Sequence, residues 1–227
     1  MRRRLVDIFC SWILLLLASP ILLVTALAIW LTDHGPVFYR QTRAGRRGLP
    51  FELVKFRSMK VHDVSPLVVG QVRGEHPMVT PVGKWLRRFK IDELPQLFCV
   101  LRGDMALIGP RPTVLEQVKE YTAFQRRRLD IPPGMTGWAQ VNGGIEISWP
   151  ERILLDVWYV DHRSFWLDLR ILWRTIGVIL FGEAPDSTSL QQAIGHAKQQ
   201  ADEAEMARFA ITFTSGGKNV SHDMTLG

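Results

Sequence analysis

From Leu5 to Leu31 the chain is an almost unbroken apolar run whose one charge is Asp7. Arg2, Arg3 and Arg4 precede it, and Arg40, Arg43, Arg46 and Arg47 follow it. The run is too long for the apolar region of a signal peptide, and no small-x-small cleavage site leads to a polar mature start. As one straight helix it would measure roughly 40 Å, more than the ~30 Å hydrocarbon core requires. Ser19-Pro20 interrupts it near the middle. Pro20 has no N–H for the carbonyl of Leu16, and its ring clashes there. Ser19 can reach back to the Leu15 carbonyl and favour a bend. Basic residues at both ends prefer the same, cytoplasmic, side. The expectation is a re-entrant membrane helix over residues 1–33, broken at Ser19 and Pro20, with arms of roughly 20 and 17 Å. A proline-kinked single span is the alternative.

Beyond His34 the pattern changes. "GPVFYRQTRAG" and "LPFELVKFRSM" read as extended segments joined by a basic, glycine-bounded turn from Gly45 to Gly48. His62 to Pro81 reads as a loop. Trp85, Leu86 and Phe89 recur at helical spacing, with Lys84, Arg87 and Arg88 between them. Glu93–Leu101 and Val114–Leu129 read as two further helices. Ser164 to Gly182 is apolar but carries Asp168, Arg170 and Arg174, which suits a helix lying in the interface better than a span. Trp149, Trp158, Trp166 and Trp173 fit that interface or a core. The predicted architecture is α+β and helix-rich: a membrane helix (1–33), a small cytoplasmic domain with interfacial amphipathic helices (34–185), and a polar tail (186–227), partly helical with a mobile end. No internal repeat is present.

Length and composition narrow the class. The 227 residues, 47% hydrophobic and 22% charged, suffice for one medium domain with a core. Two cysteines, Cys10 and Cys99, exclude a disulfide framework and a cysteine-rich zinc module. The net charge of +6 is uneven: the segment from Asp186 onward is −2 and the remainder +8. A basic body suits an anionic bilayer or phosphorylated substrates. Its dispersed basic residues, without a recognition motif, argue against nucleic acid.

The candidate chemistry centres on "KIDELPQL", where Asp92 and Glu93 are adjacent after Lys90. At a helix start, the dipole would keep a carboxylate ionised, available as a nucleophile or metal ligand. Adjacent helical residues diverge by about 100°, so the two need not address one atom. A helix cap is the competing role for Asp92. Arg111 stands between Pro110 and Pro112, which fix the backbone that aims it. Lys55 and Arg57, two apart in an extended segment, share a face. With Arg87 and Arg111 they form a candidate phosphate-binding set, guanidinium being well matched to phosphate oxygens; each alone could be a solvated surface charge. P-loop, dinucleotide-binding, zinc-protease and serine-hydrolase motifs are all absent, and the six histidines show no metal-ligand spacing.

The Ser19-Pro20 break, "GPVFYRQTRAG", "KFRSM", "IDELPQL", "GDMALIGPRP", "PGMTGWAQVNG" and "LDVWYV", in this order from Arg3 to Gly182, resemble the bacterial sugar transferases, the monotopic polyprenyl-phosphate phosphoglycosyl transferases. The resemblance implies a re-entrant helix in the bacterial inner membrane and a catalytic domain on its cytoplasmic face. It implies that Asp92 attacks the sugar-linked phosphate of a nucleoside-diphosphate sugar, a UDP-sugar by expectation. Undecaprenyl (polyprenyl) phosphate then takes the phosphosugar, as the first membrane step of glycoconjugate assembly such as polysaccharide biosynthesis. Glu93 is the second member of the acidic dyad, and Mg²⁺ is required, with Asp92 as its ligand. Gly144, Cys99 and Ala106 depart from the family pattern, where Arg, Asn and Ser are usual. These departures bear on donor recognition, as does the His62–Pro81 loop. A membrane-anchored scaffold or lipid-binding protein without catalysis is the competing reading. Association with further copies of the chain stays open.

Overall fold

The computed structural model describes residues 2–60 and 77–216, with backbone alone for residues 2, 33 and 202–216. Most of the expected loop from His62, and the chain end beyond Gly216, lie outside the described residues.

Helix α1 (Arg2–Asp33) runs through Pro20 and is long and apolar enough to cross a membrane. The carbonyl that Pro20 leaves without an N–H donor is that of Leu16. Ser19 Oγ donates to this same oxygen at 2.7 Å, rather than to the Leu15 carbonyl that the sequence suggested. Both ends of α1 rest on the rest of the protein. At the start, Arg3 pairs with Asp168 at 2.8 Å, and Arg4 donates to the carbonyls of Val100 and Leu101. Asp7, the one charge in the apolar run, accepts the Leu107 N–H at 3.2 Å. Toward the other end, Ile29 packs with Phe56 and Leu86, joined by Leu22 and Ala26.

Strands β1 (Phe38–Ala44) and β2 (Pro50–Phe56) pair antiparallel around the turn at Arg46–Gly48, as the glycine-bounded pattern predicted. The register sets Tyr39 opposite Lys55 and Arg43 opposite Phe51. Helix α2 (Pro81–Arg88) starts with Thr80, whose hydroxyl accepts the Gly83 N–H, and with Pro81 in the first turn, where its missing donor costs nothing. Gly83 lies so close to strand-end Ser58 that a Cβ there would fall 2.1 Å from the Ser58 carbonyl oxygen. That approach carries Arg87 to the hairpin, where its Nε donates to Ser58 Oγ at 2.9 Å.

A tight turn at Ile91–Glu93 leads to α3 (Gln96–Arg102), which packs on β2 through Cys99, Val100, Phe51 and Leu53 and also lies against α1. Both cysteines are free. Strands β3 (Ala106–Ile108) and β4 (Gly134–Thr136) form a second, parallel pair. The single helix expected over Val114–Leu129 is instead broken into α4 (Leu115–Lys119), α5 (Ala123–Arg126) and a tight turn at Arg127–Leu129. The cause is Thr122, whose side chain and that of Gln125 form a capping box that starts a new helix.

Helices α6 (Trp138–Val141), α7 (Trp149–His162), α8 (Phe165–Phe181) and α9 (Ser187–Gly216) complete the chain. The largest core joins α6 to α9 around Trp138, Leu155, Tyr159, Ile171 and Ala193. The start of the predicted tail is therefore helical and seated on α7. The tryptophans divide between the two expected roles. Trp158 stacks on Trp138 and packs against this core. Trp166 and Trp173 on α8 are each 77% exposed, beside exposed Phe165, Ile176, Leu180 and Phe181. On α2, Leu86 is buried while Trp85 and Phe89 stack on each other at the surface.

Candidate active site

A cleft of about 870 Å³ opens between the β1–β2 hairpin, α2, the Ile91–Glu93 turn and the Pro110–Pro112 segment. All six residues singled out for chemistry line it: Lys55, Arg57, Arg87, Asp92, Glu93 and Arg111. Each arrives by a different local device. Lys55 faces inward from β2, and its ammonium lies 5.3 Å from the Tyr39 ring centre across the pair. Arg57 follows directly after β2 and is buried. Arg87 comes from the last turn of α2. Lys90, in the left-handed conformation (φ 56°, ψ 20°), turns the chain out of α2 so that Asp92 and Glu93 fall in the next tight turn.

The two carboxylates diverge in role. Arg111 donates to Glu93 Oε1 at 2.6 Å, with a longer second contact to Oε2 at 3.4 Å. Burial of Glu93 opposes its charge, but the Arg111 charge and hydrogen bond, with Lys90 and Lys55, prevail and hold its carboxyl at about 2. Glu93 in turn holds the Arg111 guanidinium more firmly charged than usual. Asp92 is buried, 7% exposed, and no side chain or backbone N–H among the described residues hydrogen-bonds its carboxylate. Its carboxyl is pushed up from the ordinary value, by burial first and then by the neighbouring Glu93 charge. Lys55, Arg87 and Arg111 pull against that rise. The helix-start argument thus fails in its electrostatics: α3 begins only at Gln96, and desolvation outweighs any dipole at Asp92. Burial likewise pushes the Lys55 ammonium down, with Glu93 and Asp92 opposing.

Several residues of the site escaped the sequence reading. Arg43 and Lys90 add positive charge to the cleft wall, and Glu183, from just past α8, faces Lys90. Behind Arg111 lies a buried pair, Arg128–Asp156, at 2.5 Å. Arg128 also donates to Tyr121 Oη at 2.6 Å and to the Arg111 carbonyl at 2.9 Å, fixing the backbone that presents Arg111. Its guanidinium lies 5.0 Å from the Trp149 ring centre. Desolvation pushes the Asp156 carboxyl up to about 6 against the pull of Arg128. "LDVWYV" contains Asp156, but only the 28-residue separation closed by the fold reveals its partner.

The arrangement can bind a polyanion and present one carboxylate to it. Arg and Lys side chains converge on a half-enclosed space, as phosphate oxygens require. Among the described residues no group of three or more His, Cys, Asp and Glu is disposed to hold a metal ion. Mg²⁺ ordinarily takes one or two carboxylates together with substrate phosphates and water. Asp92, beside the converging cations, fits that donor set; Glu93 is committed to Arg111.

Comparison with known proteins is consistent with this chemistry. A family model described as "Bacterial sugar transferase" matches residues 1–182. The chain is 43% identical over 187 residues to the "Uncharacterized sugar transferase EpsL" of Bacillus subtilis, across 82% of this chain and 91% of that one. It is 42% identical over 189 residues to a UDP-glucose:undecaprenyl-phosphate glucose-1-phosphate transferase of Caulobacter vibrioides, across 79% and 70%. It is 41% identical over 183 residues to an enzyme of the same description from Escherichia coli, across 77% of this chain but 39% of that longer one.

Proposed function

The chain belongs to the bacterial sugar transferase family, and from that premise we propose that it moves the phosphosugar of a UDP-sugar onto a polyprenyl phosphate such as undecaprenyl phosphate, through a covalent intermediate on Asp92. One observation carries the reading: a buried carboxylate that accepts no hydrogen bond from any described residue stands among Lys55, Arg87 and Arg111, while its neighbour Glu93 is tied to Arg111. Relatives named for the transfer of glucose 1-phosphate from UDP-glucose to undecaprenyl phosphate support the substrate class.

The steps follow from the groups present. The cations seat the diphosphate and offset the repulsion between it and the carboxylate. An Asp92 oxygen bonds to the sugar-linked phosphorus, and the bridging P–O bond breaks. The nucleoside monophosphate leaves with the bridging oxygen and its electron pair. A phosphate oxygen of the polyprenyl phosphate then bonds to the same phosphorus and frees the Asp92 carboxylate, giving the polyprenyl-diphospho-sugar. Splitting the transfer means donor and lipid need not occupy the cleft together. A carboxyl pushed up by burial is more basic than an ordinary aspartate, which favours attack once ionised. Glu93 holds Arg111 against the reacting phosphate. Mg²⁺, held by Asp92 and the diphosphate, would neutralise charge on the phosphate oxygens. The product carries a first sugar on a lipid that had none, so the reaction opens a membrane-bound glycan assembly. α1 enters one leaflet and returns, leaving the cleft on the cytoplasmic face of the inner membrane.

The test uses the full chain in detergent with UDP-glucose, UDP-galactose and UDP-N-acetylgalactosamine. With one of these donors alone, intact-mass analysis should reveal an adduct of one phosphosugar, absent in Asp92→Asn and reduced by EDTA. Nucleoside monophosphate release by Asp92→Asn at the rate of the unmodified chain would refute the assignment. Lipid binding with no release from any donor would favour a scaffold instead.

A further inference from the structure

Glu183 is the first residue beyond the segment that the family model matches. Its side chain, 12% exposed, is wedged between three parts of the chain. Oε1 accepts from Lys90 Nζ at 2.8 Å, and Oε2 accepts the Ile145 N–H at 2.6 Å. Gly144 completes the seat: a Cβ there would lie 2.1 Å from Oε2, and its φ of +50° already disfavours other residues. The carboxylate forms wall both of the main cleft and of a smaller space of about 40 Å³ behind it.

The partner chosen by Glu183 is what gives it consequence. Lys90 is the left-handed residue that starts the turn bearing Asp92, and its carbonyl accepts the Glu93 N–H at 3.2 Å. A non-glycine residue in that conformation persists only where its surroundings hold it. The segment supplying Glu183 is itself anchored downstream. The Asp186 N–H donates to the Asn142 carbonyl at 3.2 Å, and its carboxylate binds Arg174 at 3.0 Å and accepts the Thr188 and Ser189 N–H groups. α9 then seats on α7 through Leu190 and Ala193, and His196 meets Asp161 at 2.7 Å.

We propose that Glu183 is a positioning residue for the transfer reaction, holding the Asp92 turn through Lys90, so that the segment C-terminal to the family match helps assemble the active site. The inference rests on the role of Asp92 given under Proposed function. It predicts a loss of turnover without a matching loss of donor affinity, because Glu183 acts on the turn through Lys90 and a carboxylate is no ligand for an anionic diphosphate. Glu183→Gln keeps an acceptor and the size of the side chain while removing the charge that holds Lys90.

The experiment measures nucleoside monophosphate release by the full chain, with undecaprenyl phosphate and the three UDP-sugars above, for Glu183→Gln, Lys90→Met and the double variant. Expected for Glu183→Gln is a kcat lowered roughly tenfold or more, with KM for the donor within about twofold and melting temperature close to that of the unmodified chain. In the Lys90→Met background the same substitution should have little further effect, since the two act as one unit. Unchanged kcat in Glu183→Gln overturns the inference, as does an equal further loss in the double variant, or a loss wholly accounted for by unfolding. If the unmodified chain releases no monophosphate from any donor, the role of Asp92 falls and this inference with it; unchanged kcat in Glu183→Gln alone leaves that role standing.

Discussion

Replacing Glu93 by Gln tests the electrostatic design of the site through stability, independently of turnover. In the fold the Glu93 carboxyl is held at about 2 against an ordinary value of 4.5. That gap corresponds to about 3 kcal/mol favouring the folded chain when Glu93 is ionised. Arg111 is 39% exposed at its side chain, so water screens the pair and this figure is an upper one. The sign follows from a depressed carboxyl. Its contribution is complete above pH 4.5, declines as pH falls, and is gone near pH 2. Glu93→Gln lacks it at every pH and leaves Arg111 without its carboxylate. The variant should therefore unfold more easily than the parent at neutral pH, with the two curves converging in acid. The raised carboxyls of Asp92 and Asp156 add pH dependence of the opposite sign. Asp156 contributes equally to both proteins and drops out of the difference. Removing Glu93 charge relaxes Asp92, which reduces the gap slightly. Urea unfolding in a fixed detergent, followed by tryptophan fluorescence at neutral pH and near pH 3, measures the difference directly. A gap that stays constant or widens in acid would refute the ion-pair reasoning.

Two further outcomes follow from the same geometry. Arg87 helps keep Asp92 ionised, so Arg87→Met should raise the Asp92 carboxyl further and move the acid limb of kcat/KM to higher pH; an unmoved limb would show that Arg87 does not act on Asp92. For topology, single cysteines placed before Leu5 and after Leu31, in a chain with Cys10 and Cys99 replaced by Ser, should be labelled from one face of sealed vesicles. Labelling from opposite faces excludes the re-entrant helix.

Local signals carried much of this fold. The hairpin was legible because Gly45 and Gly48 bracket a basic turn between two extended runs, and α2 because Trp85, Leu86 and Phe89 recur at helical spacing. The break at Thr122 was equally local: Thr122 and Gln125 spell a capping box inside the segment read as one helix. The motif residues share one cleft, delivered by a strand, a helix end and the turn that Lys90 starts. Asp92's burial was not legible, because it comes from α2 and β2, distant in sequence from each other, packing on the turn that bears it. Nor were Arg128–Asp156 and Lys90–Glu183, pairs 28 and 93 residues apart whose members look like ordinary surface charges in sequence.

The apolar helix and the cleft constrain each other. A straight helix over Leu5–Leu31 would set its ends roughly 40 Å apart, on opposite faces of a bilayer. Here Arg3, Arg4 and Asp7 at one end find partners on α8, α3 and β3, while Ile29 at the other packs on β2 and α2. Under the proposed placement of the domain on one side of a membrane, it can receive both ends only if α1 turns back inside the bilayer, and that is the topology the labelling above tests. A turn there exposes a carbonyl to hydrocarbon unless something local satisfies it. Ser19 does so at Leu16, which makes Ser19 and Pro20 a single device: one frees the carbonyl, the other occupies it. The outward tryptophans of α8 and the Trp85–Phe89 stack lie on the same domain as the docked helix ends, and under that placement they suit a membrane interface, which indole favours. In the proposed reaction, a phosphate-binding cleft on that domain would meet a polyprenyl phosphate where its charged head lies, so the lipid tail would not have to leave the bilayer.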